Sequence, residues 1–114
     1  MREPERDPGR ISDILEAIDN VSEFISGCDR ESFLKDKIRY FAIVKNIEII
    51  GEAAYMLSLD FKAAHPEVGW EQIIKMRHVL VHGYACVQPD IVWETAINDV
   101  PALKKKILQF KNPQ

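Results

Sequence analysis

From about Phe33 to Ser58 the chain runs without a proline and places an apolar residue at nearly every third or fourth position. Tyr40, Ile43, Val44, Ile47, Ile50, Ala54 and Leu57 form one stripe at this spacing, and Ile38, Phe41, Ala42, Ile49, Ala53 and Met56 form a second that overlaps it. Residues three and four apart share one side of a helix, so two such stripes leave little of the circumference polar. The spacing predicts one long helix over 33–58, buried between layers either within the chain or partly at a subunit interface. Gly51 sits in its interior, where glycine costs roughly 1 kcal/mol relative to alanine, and the expected reason is close approach by another backbone.

The flanking segments carry the same period. Ile11, Ile14, Leu15, Ile18, Val21 and Ile25 mark an amphipathic helix, with Asp7-Pro8 as its start signal and Gly27 as its stop. A polar turn follows through Cys28 to Ser32. Asp60 to His65 have room for one further helical turn before Pro66, with His65 left as a turn residue. Trp70 opens a helix bearing Ile73, Ile74, Met76, Leu80 and Val81, which Gly83 ends. Gln88-Pro89-Asp90 begins a last helix whose apolar positions run from Ile91 to Phe110. Within it Pro101 either kinks the helix or restarts it with Asp99 as a cap. Trp70 and Trp93 are read as core anchors. No stretch alternates with period two, so the fold class is all-α, a bundle of four to five helices. The expected organisation is a flexible segment over 1–9 and a single helical domain over 10–111.

Composition narrows the possible functions. The 46% hydrophobic and 29% charged content is that of an ordinary globular chain. One domain of this size hides only part of its apolar surface, and pairing with a second copy would hide more. A net charge of −3 gives no general pull toward nucleic acid, which weighs against a duplex-DNA-binding surface and requires any phosphate contact to be local. Lys104-Lys105-Lys106 reads as a solvated helix face. The apolar runs fall short of a bilayer span, and the charged start Met1 to Pro8 does not resemble a secretory signal, so a cytoplasmic protein without a membrane partner is expected. Cys28 and Cys86 lack close-spaced partners and read as small hydrophobes.

The chemistry is concentrated in Arg77-His78-Val79-Leu80-Val81-His82-Gly83-Tyr84. Arginine offers a planar fork of donors suited to phosphate, and histidine exchanges protons near neutral pH. His78 and His82 are four apart and share a helix face, but neither the accompanying glutamate nor a cysteine pair of a zinc site is in place. Gly83 would free the backbone and put Tyr84 just past the helix end. On spacing alone a plainer account holds: Arg77 as a solvated helix residue, His82 as a charge complementing the helix dipole, and Tyr84 as a packing residue.

Further blocks alter that balance. Ile47-Glu48-Ile49-Ile50-Gly51-Glu52-Ala53-Ala54, Trp70 to Arg77, His82-Gly83-Tyr84 and Val92-Trp93 together resemble the HepT family of HEPN-domain proteins, from roughly Ile11 to Ile107. The resemblance implies a HEPN-like helical bundle forming a two-fold homodimer. It also implies a metal-independent endoribonuclease, needing no cofactor, that acts on RNA as the toxin of a toxin–antitoxin pair. The partner it implies is a minimal nucleotidyltransferase antitoxin that uses ATP and Mg²⁺ to attach AMP to the motif tyrosine. Carried over by position, Arg77 and His82 are the catalytic pair, His78 supports the active site, and Tyr84 is the modified residue. His78 stands where many members have asparagine, Lys75 replaces a common glycine, and Val87-Gln88 departs from the usual Ile-Asp.

Cleavage of RNA without a metal uses the ribose 2′-hydroxyl as nucleophile, so it needs a base, an acid at the leaving 5′-oxygen and a cation over the phosphate. One chain supplies one motif histidine, whereas a two-fold dimer would bring two copies of Arg77 and His82 to one cleft. The competing reading is a non-catalytic binding subunit of a nucleotidyltransferase complex. A third is a metal-binding regulator acting through His78 and His82.

Overall fold

The helix expected over 33–58 is in fact two. In the computed structural model, which describes residues 3–82 and 88–111 and of residues 81 and 82 the backbone alone, α2 spans Arg30–Lys35 and α3 spans Lys37–Met56. Asp36 parts them. Its backbone is extended, and its carboxylate accepts from the Arg39 N–H at 3.0 Å, so a short acidic side chain satisfies an amide that would otherwise lack a partner. The break lets α2 fold back so that buried Phe33 meets Tyr40 and Trp93 at ring-centroid distances of 5.8 and 5.4 Å.

The far end of α3 is fixed with equal economy. Leu57 leaves the helix, and Ser58 caps α4 (Leu59–Ala64) by accepting from the Phe61 N–H at 3.1 Å. The first residue of α1 (Asp7–Ile25) reaches across to this corner. Its carboxylate accepts from the Ser58 N–H at 2.9 Å and the Ser58 hydroxyl at 2.7 Å, and both residues are buried. Gly27, beyond the end of α1, takes the left-handed conformation at φ 72°.

α3 packs against both α1 and α5 (Trp70–His82). The bundle is completed by α6 (Pro89–Glu94) and α7 (Val100–Lys111), joined by a π turn over Thr95–Asp99. Glu94, Thr95 and Val100 all keep right-handed helical dihedrals, and the Val100 N–H donates to the Thr95 carbonyl five residues back. Pro101 therefore does not restart the helix behind an Asp99 cap. The wider turn ahead of it takes up a residue that lacks an N–H and crowds the preceding turn.

Ile14, Ile18 and Val21 from α1, Ile43 from α3 and Ile107 from α7 are fully enclosed in the core, and Trp70 and Trp93 are buried as expected. The first α3 stripe faces inward, with Ile43, Ile47, Ile50, Ala54 and Leu57 buried. The second is divided: Ala53 is buried, but Ile38 and Phe41 stand in solvent. Between α1 and α3, Asn20 donates to buried Asn46 at 3.0 Å, and Asn46 donates to the Ala42 carbonyl at 2.8 Å. His65 does more than turn the chain, since its ring stacks on Phe110 of α7 at 4.0 Å. Lys105 and Lys106 are exposed, and Lys104 pairs with Asp19 at 2.9 Å, which fits a solvated face. Cys28 is half-buried, and Cys86 and the expected stop at Gly83 lie outside the described residues. Among the described residues all regular structure is helical, and no helix is long and apolar enough to cross a membrane.

Candidate active site

Gly69, at φ 78°, turns the chain into α5, and its carbonyl accepts the Gln72 N–H at 3.2 Å. Trp70 and Leu80 anchor the buried side of α5, while Glu71, Lys75, His78 and Val79 are exposed. Arg77 lies between these sides, half-buried.

Its position is set by Gly51. A Cβ added to Gly51 would fall 2.1 Å from Arg77 Cβ, 2.8 Å from its Cγ and 3.2 Å from the Ile73 carbonyl oxygen. α5 therefore crosses α3 at a separation that only glycine permits, and the stem of Arg77 rests directly on the α3 backbone. The sequence pointed to a close approach at Gly51, but not to the side chain that exploits it. Arg77 forms no hydrogen bond or ion pair among the described residues. A guanidinium with a held stem and donors free of such partners is prepared for an external anion, because less side-chain freedom is lost on binding.

The backbone of α5 is helical through His82. Five positions along a helix correspond to a rise of about 7.5 Å and a rotation of roughly 140°. Positions 77 and 82 therefore fall on different faces of an ideal helix. The side chain of His82 and the whole of Tyr84 lie outside the described residues, so the expected catalytic pair and modification site are located only along the chain. His78 is exposed on α5, one position beyond Arg77. Among the described residues no three His, Cys, Asp or Glu side chains gather as metal ligands would.

A recess of about 230 Å³ lies between α3, α5 and α7, with Ile47, Ile50, Ile73, Met76 and Leu103 among its lining. A second, of about 610 Å³, lies between α4 and the start of α5, beside Leu59, Lys62 and Trp70. Neither is lined by Arg77 or His78. The described part of one chain thus presents Arg77 on an open helix crossing and not within either recess.

The family model described as "Ribonuclease HepT-like" matches residues 14–110. The chain belongs to the HepT-like ribonuclease family. The match takes in α3, Gly51 and all of α5, so the crossing that holds Arg77 lies within the family's domain. A protein of Thermococcus cleftensis named a probable ribonuclease HepT is 42% identical over 101 residues, covering 89% of this chain and 92% of its own length. A protein of Methanocaldococcus jannaschii that carries an RNase name is 34% identical, covering 85% of this chain and 89% of its own. Another RNase-named protein, from Caldanaerobacter subterraneus, is 36% identical, with 88% and 89% covered. No solved structure gives a significant match.

Proposed function

We propose that this HepT-like protein is a metal-independent endoribonuclease, the toxin of a toxin–antitoxin pair, whose active site is completed by a second copy of the chain. The observation that carries the reading is Arg77: its stem is seated on Gly51, and its guanidinium has no partner among the described residues. The relatives' RNase names and the family model support RNA as the substrate.

In this reading Arg77 binds the scissile phosphate and the increasing negative charge on its oxygens. One His82 accepts the proton of the ribose 2′-hydroxyl as that oxygen attacks phosphorus. The bond to the 5′-oxygen breaks, and the leaving oxygen takes a proton from the His82 of the second copy. The products are a 2′,3′-cyclic phosphate and a 5′-hydroxyl. Positions 77 and 82 fall on different faces of an ideal helix, which favours assembly from two chains, and His78 flanks the site. Converging cations would form a local positive site on a protein of net charge −3. A minimal nucleotidyltransferase is proposed as the antitoxin, attaching AMP to Tyr84.

The test is digestion of RNA in EDTA by the wild type, Arg77→Ala and His82→Ala, with the product ends identified. The wild type should yield cyclic phosphate ends. Each variant should lose a factor on the order of 10²–10⁴ in rate while keeping its helical circular dichroism. Undiminished cleavage by both folded variants would place the site elsewhere. No cleavage by the wild type would favour a non-catalytic subunit.

A further inference from the structure

On the outer side of α3, Ile38, Phe41, Lys45, Glu48, Glu52 and Tyr55 follow one another at alternating spacings of three and four. That alternation keeps six side chains on one nearly straight seam of a helix. Ile38 is 85% exposed, Phe41 64% and Tyr55 46%, so the seam ends in large apolar groups in solvent. Its middle is charged: Lys45 and Glu52 are exposed and Glu48 half-buried, and none of the three forms an ion pair among the described residues. Scattered exposed apolar residues are ordinary on a protein surface, but an ordered seam along one helix is the pattern of a contact surface.

The order of charges selects the occupant. Two copies of α3 can pair about a two-fold axis either parallel or antiparallel. The parallel arrangement sets Lys45 against Lys45, Glu48 against Glu48 and Glu52 against Glu52, each a like-charge contact. In the antiparallel arrangement the register that gives all six residues a partner puts Ile38 opposite Tyr55, Phe41 opposite Glu52 and Lys45 opposite Glu48. The Lys45 ammonium then lies between Glu48 directly opposite and Glu52 one turn along. The seam is complementary to itself in this sense and self-repelling in the other.

We propose that this seam is where two copies of the chain join, antiparallel, with Lys45 of each copy paired to Glu48 and Glu52 of the other. The proposal deepens the two-copy reading of the active site and names its surface. Gly51, which seats Arg77, lies on the same helix, between Glu48 and Glu52 in sequence.

The experiment measures self-association of the full chain by analytical ultracentrifugation at low salt, with circular dichroism to show that each variant is folded. The wild type is expected to be a dimer at micromolar concentration. Phe41→Arg and Lys45→Glu should each raise the dimer dissociation constant at least tenfold. Combining Lys45→Glu with Glu48→Lys should recover most of that loss, because only the antiparallel register opposes the reversed charges to one another. A wild-type dimer indifferent to both single substitutions would overturn the proposed surface while leaving the two-copy active site standing. Failure of the charge-reversed pair to recover would overturn the antiparallel register. A wild-type monomer at these concentrations would overturn both the surface and the two-copy reading, whereas loss of RNA cleavage alone bears on neither outcome.

Discussion

Alanine at Gly51 sets a gain in helix propensity against a collision. The gain is about 1 kcal/mol. The collision is with Arg77 Cβ at 2.1 Å and the Ile73 carbonyl at 3.2 Å, atoms that cannot swing aside as a flexible side-chain end would. Overpacking of this kind costs ~1–3 kcal/mol, so a net loss of roughly 1 kcal/mol and a melting temperature lower by ~4 °C are expected for Gly51→Ala. Because the tightest of these contacts are with Arg77, RNA cleavage should fall further than the change in stability explains. A thermal melt beside a cleavage assay at a temperature where both proteins are folded checks this, and an unchanged or higher melting temperature would argue against the tight crossing. A glycine within a strongly apolar helix signalled that something lay against it. The identity of that neighbour depends on how α5 crosses α3, a tertiary fact that periodicity does not carry.

At the scale of the elements, helical period and apolar faces were readable, while the joints depended on single polar side chains. Asp36 divided the expected long helix, since an aspartate among good helix formers does not reveal whether its carboxylate will cap an amide. Pro101 offered a kink or a restart, and the chain runs on through a π turn, which excludes the restart. The link from Asp7 to Ser58 crosses fifty-one positions and has no local signature. Asp7→Ala would strip the buried Ser58 N–H and hydroxyl of their acceptor. A cost of about 1–3 kcal/mol is expected, readable as a lower midpoint in urea with an unchanged slope. Asp29 caps α2 by accepting from the Ser32 N–H at 2.8 Å, and this bond together with the Ser32 hydroxyl holds its carboxyl below the usual carboxylate range. A lowered folded pKa contributes stability that is present above the unfolded value, near 3.9, and is lost as pH falls through the folded value. Asp29→Asn retains a capping oxygen but removes the titration. The wild type's advantage over this variant should therefore shrink as the pH of the melt is lowered below about 4. A difference independent of pH would mean that the charge of Asp29 contributes nothing to the cap.

For the whole molecule, the family and the helical architecture were legible because they are written in residue order, from the Gly51 block through Arg77 to Trp93. How the site is completed was not: positions 77 and 82 fall on different faces of an ideal helix, and on the proposed reading a second copy supplies the rest. On the proposed reading, control of such a site needs no unfolding. The Tyr84 hydroxyl would attack the α-phosphorus of ATP in the partner nucleotidyltransferase, pyrophosphate would leave, and AMP would remain on the tyrosine. The added phosphate is an anion carried on the segment that follows His82, close in sequence to the cation meant for RNA phosphate. It would compete for Arg77 through a charge-assisted contact and obstruct RNA by its bulk. Tyr84→Phe keeps the ring and removes only the oxygen that accepts the nucleotidyl group. With the cognate nucleotidyltransferase, ATP and Mg²⁺, the wild type should gain the mass of one or more AMP groups and lose cleavage. Tyr84→Phe should gain none and remain sensitive only to inhibition that requires the partner to stay bound. Intact-mass spectrometry separates these outcomes. Equal AMP incorporation in both proteins would move the modification to another residue, and no incorporation in the wild type would leave neutralisation to complex formation alone.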